Sequence, residues 1–339
     1  AAILARALGI PAVSGIDKIH SRITCGTELL IDGAKGEVIV WPNEEDKKRA
    51  VQIHPEFFPN HRVPGFPVTA NINTSEEVEE ALSVDAEGIG LYRTEFEFIT
   101  AGRLLSEEEQ AERYARVVRR MQGRLVTFRM LDIGGDKPFS FLELPREDNP
   151  ALGWRGTRLL LGHAELFRAQ ARAVARASQH GPVRVMYPMI VDTEQFLRAR
   201  KLFQDAVEDL KTGPIEQGIM FEVPSACLLA EELLMEADFA SVGSNDLIQY
   251  LFAVDRNNEK VAEDYRTDHP LLWNVLHQLV QAAGTAGKPV TLCGEIAGVP
   301  EYAFRLRALG FSAVSVSARL IPQIRRAVYL HVQEKENNA

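Results

Sequence analysis

Residues 239–250, with the sequence Phe-Ala-Ser-Val-Gly-Ser-Asn-Asp-Leu-Ile-Gln-Tyr, join a short apolar stretch directly to a group of polar side chains. The first four residues are typical of a short buried strand, so Asn245 and Asp246 are predicted to lie where the chain leaves the carboxyl end of that strand. Polar groups are costly at such a position unless a ligand or a metal satisfies them. The stretch therefore indicates a strand that ends at a functional site.

The same pattern recurs along the chain after Gly65, where short apolar stretches alternate with longer segments of helical periodicity. Eight βα units in about 270 residues favour a (β/α)8 TIM barrel, in which functional residues lie at the carboxyl ends of the strands. The predicted strands cover residues 67–72, 88–92, 125–131, 183–190, 218–223, 239–243, 289–294 and 312–316. The predicted helices include residues 75–83, 106–121, 163–178, 193–210, 225–235, 269–286 and 300–309.

The beginning of the chain has a different pattern. Residues 10–14, 28–31 and 37–41 are predicted to be short strands with turn glycines between them, so residues 1–43 are assigned to another domain. The charged run and the prolines that follow predict a linker helix and connection over residues 44–65. The barrel is then expected over residues 66–339, and the charged run is interpreted as a solvated surface.

The amino-acid composition and the net charge exclude several classes of protein. Hydrophobic residues make up 46% of the chain and charged residues 25%, which is ordinary for a globular protein. The net charge of −9, without a basic tract, argues against nucleic acid as a partner. The three cysteines are far apart, so neither a disulfide framework nor a zinc site is indicated, and a cytoplasmic location is expected. Without an apolar run of about 18 residues or a signal peptide, no membrane insertion is predicted.

Arginine side chains are concentrated at or near the ends of the predicted strands. A guanidinium group is poorly suited to packing there, whereas its planar fork suits bidentate contact with phosphate or carboxylate. The alternative for each arginine is a structural ion pair with a neighbouring acid such as Glu95 or Asp132. The coincidence of several such arginines favours a site for a small anion. The arginines concerned are Arg93, Arg129, Arg155 and Arg256.

Two carboxylates follow adjacent predicted strands. Glu222 ends one strand and Asp246 follows the next, so both could supply oxygens to Mg²⁺, which takes one or two protein carboxylates together with substrate phosphate oxygens. A structural salt bridge to an arginine is the alternative.

A thiol is placed at a third strand end. Cys293 ends a predicted strand and is followed by glycine, so its thiol can face the rim and act as an acid or base. Cys227 lies in an apolar helical segment and is interpreted as a packing residue, and no catalytic role is assigned to Cys25.

Seven motifs occur in order over about residues 65–330 and together resemble enzyme I of the sugar phosphotransferase system, the phosphoenolpyruvate-protein phosphotransferases. The motifs are Gly-Leu-Tyr-Arg-Thr-Glu (90–95), Asp-Ile-Gly-Gly-Asp-Lys (132–137), Asn-Pro-Ala-Leu-Gly-Trp-Arg (149–155), Glu-Val-Pro-Ser (222–225), Gly-Ser-Asn-Asp-Leu-Ile-Gln-Tyr (243–250), Asp-Arg-Asn-Asn (255–258) and Cys-Gly-Glu-Ile-Ala-Gly (293–298).

This resemblance implies a role for each candidate residue. Cys293 would protonate the methylene carbon as pyruvate forms, and Mg²⁺ would be held by Glu222 and Asp246. The resemblance also implies a homodimer formed through the barrel and a histidine phosphocarrier protein as the partner of the missing amino-terminal region. The residues that would contact phosphoenolpyruvate are Arg93, Arg129, Arg155, Asn245, Asp246 and Arg256.

The chain departs from the family pattern in two places. Residues 1–11 are similar to the segment that directly follows the family's phosphorylated histidine, and none of the eight histidines here stands in that motif. We therefore expect residues 1–43 to be a remnant of a swivelling phosphohistidine domain, in a chain truncated at its amino end and unable to phosphorylate itself. Val299 replaces an acidic residue, which affects a helix start rather than the chemistry.

Two other functions fit parts of the pattern. The related barrel of pyruvate phosphate dikinase or phosphoenolpyruvate synthase would be served by a nucleotide-binding domain, and no such segment is visible in the sequence. A non-catalytic sensor of phosphoenolpyruvate is the second alternative. The presence of Cys293, Glu222 and Asp246 argues against a purely sensory role.

Overall fold

The computed structural model of the chain describes residues 11–13, 15–33, 35–51, 61–135, 142 and 144–337. The chain divides into two compact units, Ala1–Pro59 and Asn60–Ala339. Within the described ranges, no helix is both long and apolar enough to cross a membrane.

The first unit contains a two-stranded antiparallel sheet of β1 (Leu29–Asp32) and β2 (Glu37–Val40), flanked in sequence by α1 (Ile19–Arg22) and α2 (Glu44–Val51). The strands predicted at residues 28–31 and 37–41 are thereby confirmed. The strand predicted at residues 10–14 is wrong for residues 11–13, which form no strand, while residues 10 and 14 lie outside the described ranges. Helix α2 lies within the predicted linker.

The second unit is a closed barrel of eight parallel strands, in which each strand pairs with its neighbours in sequence and the last pairs with the first. All eight predicted barrel strands are present, with ends that differ by at most three residues. The (β/α)8 prediction is therefore confirmed. The strands are β3 (Val68–Ile72), β4 (Ile89–Arg93), β5 (Val126–Arg129), β6 (Val183–Tyr187), β7 (Ile215–Phe221), β8 (Ala240–Gly243), β9 (Val290–Cys293) and β10 (Ala313–Ser317).

Helices separate the barrel strands, as the periodicity predicts. The sequence did not predict the helices Glu95–Ala101, Gly156–Gly162, Ser244–Leu251 and Ile321–Asn337. The first three begin within or beside the polar segments that follow strands. The helices are α3 (Val78–Ser83), α4 (Glu95–Ala101), α5 (Glu107–Arg120), α6 (Gly156–Gly162), α7 (Ala164–Ala177), α8 (Thr193–Val207), α9 (Pro224–Leu228), α10 (Ala230–Glu236), α11 (Ser244–Leu251), α12 (Pro270–Ala286), α13 (Pro300–Leu309) and α14 (Ile321–Asn337). Short 3₁₀ turns occupy Ser75–Glu77, Pro150–Leu152, Ser178–His180, Glu259–Asp264, Glu295–Gly298 and Ala318–Leu320.

Local sequence signals set the helix ends. Ser106 and Glu109 form a reciprocal capping box at the start of α5, and Arg119 and Arg120 lie in its last turn, where positive charge complements the helix dipole. Helices α9, α12 and α13 each begin at a proline, whose missing N–H costs nothing at the first helical position.

The core of the barrel unit has two parts. The larger one lies between the strands and the surrounding helices, where apolar side chains of the strands face those of the helices. A separate small cluster consists of strand residues and the residue just before β8, and it fills the inside of the barrel. Its members are Leu91, Met186, Met220, Phe239 and Cys293.

A β-bulge in β4 decides which side chains face the inside of the barrel. Ile89 pairs with Ala70 and Tyr92 with Ile72, so β4 contains one residue more than β3 between these pairs. A Cβ at Gly90 would come within 2.2 Å of Thr69 Oγ1, so only glycine fits this position in the bulge. Since side chains of a strand alternate between faces, the extra residue shifts the remainder of β4 to the opposite phase.

Candidate active site

The bulge in β4 leaves Tyr92 facing the helices and Arg93 facing the barrel interior. Tyr92 packs against Tyr114 of α5 with ring centroids 5.7 Å apart, whereas Arg93 pairs in register with Arg129 at the end of β5. Arg93 and Arg129 thus lie side by side at the carboxyl end of the barrel. The sequence predicted both arginines at this rim.

The other candidates lie at the same end of the barrel. Cys293 is the last residue of β9, and Glu222 directly follows β7. Asn245 and Asp246 lie in the first turn of α11 rather than in a loop, and Arg155 directly precedes α6. Arg256 lies in the segment after α11 and reaches back to Asp246, with Nη1 3.6 Å from Oδ2.

Arg129 is held by carboxylates on both sides. It is 5% exposed, forms an ion pair with Glu95, and places Nη1 3.4 Å from Asp132 Oδ2. Burial opposes its charge, but the surrounding carboxylates, led by Glu95 and Asp132, raise the pKa of Arg129 above its ordinary value. The ion pairs considered as the alternative for the arginines are therefore present at Arg129.

Arg155 connects the turn after β5 to α11. It is 2% exposed, and its Nη2 donates to Asp132 Oδ2 at 3.1 Å while Nη1 donates to Asp246 Oδ1 at 3.0 Å and to the Tyr250 hydroxyl oxygen at 3.1 Å. Burial opposes its charge, but Asp132 and Asp246 raise the pKa of Arg155. This side chain is fixed within the protein and lines the site.

Arg93 differs from the other arginines in its pairing. Among the residues that the structure describes, Arg93 has no hydrogen-bond or ion-pair partner, although it is only partly accessible to solvent. Its pKa is lowered, first because of burial and then because Arg129 is close. A partly buried guanidinium without a partner is well suited to receive an anion.

Glu222 is almost fully buried and lies near other acids. Burial, together with the negative charges of Asp246 and Asp132, raises the pKa of Glu222 to about 8. Its Oε1 accepts a hydrogen bond of 2.6 Å from the backbone N of Met189, a residue held at φ 57°. Within the described part of the chain, no three His, Cys, Asp or Glu side chains are arranged to hold a metal ion, so a cation here would need further oxygens from a ligand.

Asn245 is committed mainly to the protein itself. Its Oδ1 accepts a hydrogen bond from the backbone N of Glu295 at 2.8 Å, and its backbone O accepts one from the Tyr265 hydroxyl at 3.3 Å. The side chain therefore joins α11 to the turn after β9. The amide group of Asn245 is brought next to Gly294, which directly follows Cys293, on the same rim as the arginines.

The Cys293 thiol is 2% exposed and points into the barrel. The Ser241 hydroxyl donates to its sulfur at 3.5 Å, and the thiol donates to the backbone O of Val242 at 3.4 Å. Burial raises the pKa of Cys293, while the hydrogen bond from Ser241 and the charges of Arg93 and Arg129 oppose this rise. The thiol is therefore kept protonated at neutral pH, as a proton donor must be.

Sequence reasoning missed several members of the site. Glu95 and Asp132 were considered only as alternative partners for arginines, and Tyr250 was not singled out. Signals for them existed, because Asp132 stands three residues after Arg129 and Tyr250 stands one helical turn after Asp246. The rim thus brings together four guanidinium groups and four carboxyl groups, namely Arg93, Arg129, Arg155, Arg256, Glu95, Asp132, Glu222 and Asp246.

Comparison of folds agrees with this architecture. The crystal structure of a citrate lyase from Burkholderia xenovorans LB400 superposes with a TM-score of 0.53 at 16% identity, covering 81% of this chain and 79% of that chain. At such low identity the likeness concerns the fold alone.

Sequence relatives are much more similar. Phosphoenolpyruvate-protein phosphotransferases from Listeria monocytogenes and Bacillus subtilis are each 38% identical to this chain, over 96% and 99% of its length. The enzyme of the same name from Haemophilus influenzae is 37% identical over 96% of the chain. The chain spans 61%, 63% and 60% of the lengths of these three relatives, respectively.

Two family models match the chain. Residues 1–36 match the mobile domain of the PEP-utilising enzymes, and residues 55–332 match their PEP-binding domain. The second match covers all eight barrel strands and all the candidate site residues. The chain therefore belongs to the family of PEP-utilising enzymes, as the seven motifs predict.

Proposed function

We propose that the barrel binds phosphoenolpyruvate together with Mg²⁺ and that, as part of an enzyme I, the protein transfers the phosphoryl group to a histidine and releases pyruvate. The observation that carries this proposal is the convergence of four arginines on one rim, where Arg93 has no partner among the described residues. A substrate with both a phosphate and a carboxylate group needs several positive charges in one place.

The carboxylates of Glu222 and Asp246 would hold Mg²⁺. The raised pKa of Glu222 reflects burial next to other negative charges, a situation that a divalent cation relieves. Bound Mg²⁺ would neutralise charge on the phosphoryl group during its transfer. Arg129, Arg155 and Arg256 would orient the anion.

Cys293 would supply the proton that completes pyruvate. When the bond between phosphorus and the enol oxygen breaks, the electron pair stays on the enolate. The methylene carbon of the enolate then takes the proton from the Cys293 thiol, which leaves a methyl group and a thiolate. The position of this thiol under Arg93 and Arg129 supports the assignment, because both charges stabilise the thiolate that is left.

The remaining parts of the proposal rest on the relatives. Because the relatives are named phosphoenolpyruvate-protein phosphotransferases, we propose that the phosphoryl group passes from a histidine of the mobile domain to a phosphocarrier protein. The same names favour this function over a dikinase or a sensor. Dimerisation through the barrel and a cytoplasmic location stay predictions.

Isothermal titration calorimetry tests the binding step. Phosphoenolpyruvate is titrated into the protein with and without Mg²⁺, and heat of binding is expected that depends on Mg²⁺. In Glu222→Gln, which keeps the acceptor for Met189 but removes the charge, the dependence on Mg²⁺ is expected to be lost.

Glu216→Gln is the matched control, because Glu216 lies on the same strand at the opposite end of the barrel, where it pairs with Arg184. This variant should bind as the unaltered protein does. Absence of any phosphoenolpyruvate binding in the presence of Mg²⁺ would overturn the proposed function.

A further inference from the structure

Gln170 is a fully buried amide on α7, between the helix and the barrel wall. Its Oε1 accepts a hydrogen bond from the backbone N of Leu131 at 2.9 Å, and its Nε2 donates to Thr94 Oγ1 at 2.8 Å and to the Tyr114 hydroxyl oxygen at 3.3 Å. The amide thus uses its acceptor and both of its donor hydrogens. These three bonds fix both the position and the orientation of the side chain.

Thr94 belongs to the turn that carries two charged residues of the site. It stands directly between Arg93 and Glu95, and its hydroxyl donates to the backbone O of Arg129 at 2.8 Å. The hydroxyl therefore receives a hydrogen bond from Gln170 and passes one on to the end of β5. The hydroxyl thus connects the turn after β4 to the end of β5.

Leu131 belongs to the corresponding turn after β5. It stands two residues after Arg129 and directly before Asp132, which pairs with Arg155. The backbone N of Leu131 lies outside the strand hydrogen bonds of β5, and Gln170 supplies its acceptor. One buried amide thus bonds to both turns that carry charged groups of the rim.

We propose that Gln170 is a positioning residue for the candidate active site, which holds the turns after β4 and β5 together so that Arg93 and Arg129 face the same ligand. It acts through Thr94 and the backbone of Leu131, without contact with the substrate. The inference rests on the proposed function, since it names phosphoenolpyruvate as the ligand whose binding depends on this arrangement.

The variant that isolates this role is Gln170→Met, because methionine has nearly the same length but forms none of the three hydrogen bonds. The matched control is Gln110→Met. Gln110 is also fully buried on a helix. It shares the Tyr114 hydroxyl as a partner with Gln170 and bonds to Leu105, but its amide bonds to neither turn. Both variants lose buried hydrogen bonds, so both should lower the melting temperature.

The two variants are expected to differ in ligand binding. Gln170→Met should weaken binding of phosphoenolpyruvate in the presence of Mg²⁺ by about tenfold or more, because small displacements of positioning groups have large effects. Gln110→Met should bind as the unaltered protein does. Equal binding by Gln170→Met and the unaltered protein, or an equal loss in both variants, would overturn the inference.

A second pair of variants covers the case in which Gln170→Met does not fold. Thr94→Val keeps the shape of the side chain and removes the hydroxyl, whereas Thr94→Ser keeps the hydroxyl. The inference requires weakened binding in Thr94→Val and recovery of most of the affinity in Thr94→Ser.

Hydrogen exchange separates failure of this inference from failure of the proposed function. In the absence of ligand, Gln170→Met should accelerate exchange of the Leu131 amide, and Gln110→Met should not. If the unaltered protein binds no phosphoenolpyruvate, the proposed function is wrong, and this exchange difference still decides whether Gln170 holds the turn. Unchanged exchange in Gln170→Met would contradict its positioning role.

Discussion

At the scale of single residues, the rim is defined by unequal pairing of its charges. Arg129 and Arg155 are each bound by two carboxylates, whereas Arg93 has no partner in the described part of the chain. Paired guanidinium groups provide a rigid frame, and the unpaired one is left for an incoming anion. This difference predicts different consequences of removing each arginine.

Arg93→Met is expected to weaken phosphoenolpyruvate binding by about 10- to 100-fold, the range for a lost charge-assisted hydrogen bond. The melting temperature should stay unchanged or rise, because the substitution removes a partly buried charge that pairs with none of the residues described in the structure. Titration calorimetry and thermal unfolding measure the two effects. Arg116→Met, at an exposed position on α5, is the control and should change neither by much.

Cys293→Ser should retain phosphoenolpyruvate binding but slow proton transfer by about 100-fold or more, the usual contribution of a placed acid. The measurement is exchange of the pyruvate methyl protons with deuterated water, followed by NMR with Mg²⁺ present. Cys227→Ser should exchange at the normal rate. Normal exchange in Cys293→Ser would contradict the role assigned to this thiol.

The sequence predicted where these side chains lie but not how they pair. A charged or reactive side chain at the end of an apolar strand indicates the rim of a barrel, and this was sufficient for Arg93, Arg129 and Cys293. The partners depend on the register between strands and on the turns, as in the contact of Arg155 with both Asp132 and Asp246. Such contacts between residues far apart in sequence leave no local pattern.

At the scale of elements, the strands could be predicted better than the helices that begin at the site. Apolar stretches identified all eight barrel strands, because parallel strands buried on both faces are continuously hydrophobic. Helix α11 begins at Ser244, where the polar residues predict a segment after a strand rather than a helix. Helices α4 and α6 were likewise not predicted, since each is only seven residues long and begins beside charged groups of the site.

The β4 bulge was not predicted either, and it provides a test at this scale. Gly90→Ala should destabilise the fold by about 1–3 kcal/mol, because the added methyl group overlaps the side chains of Thr69 and Ser315. Gly284→Ala is the control. Gly284 lies within α12 with open space around its Cα, so alanine there should stabilise by about 1 kcal/mol. Urea denaturation measures both free energies of unfolding.

At the scale of the whole molecule, the partly buried thiol of Cys227 makes stability depend on alkaline pH. Burial raises the pKa of the Cys227 thiol to about 12 from an ordinary value of 9.0. The folded state thus favours the neutral thiol. The resulting contribution to the free energy of unfolding is fully present below pH 9, and it is lost as the pH rises from about 9 to 12.

Raising the pH from 8 to 10 should therefore lower the free energy of unfolding by about 1 kcal/mol through this group alone. Cys227→Ala should show a correspondingly smaller loss between the two pH values, measured by urea denaturation. Cys25→Ala is the control, since Cys25 is exposed, and it should behave as the unaltered protein does. An identical pH dependence in all three proteins would contradict the assignment.

The closure of the barrel by β10 on β3 has a consequence for folding kinetics. The Thr69 hydroxyl donates to the backbone O of Val314 across 245 positions of sequence, so the first and last strands must meet before the sheet is complete. Bringing such distant segments together costs chain entropy before the stabilising contacts between them form, and this makes folding slow. Ligand affinity should accordingly return only with the last, slowest refolding phase, when β4 and β9 belong to one closed barrel.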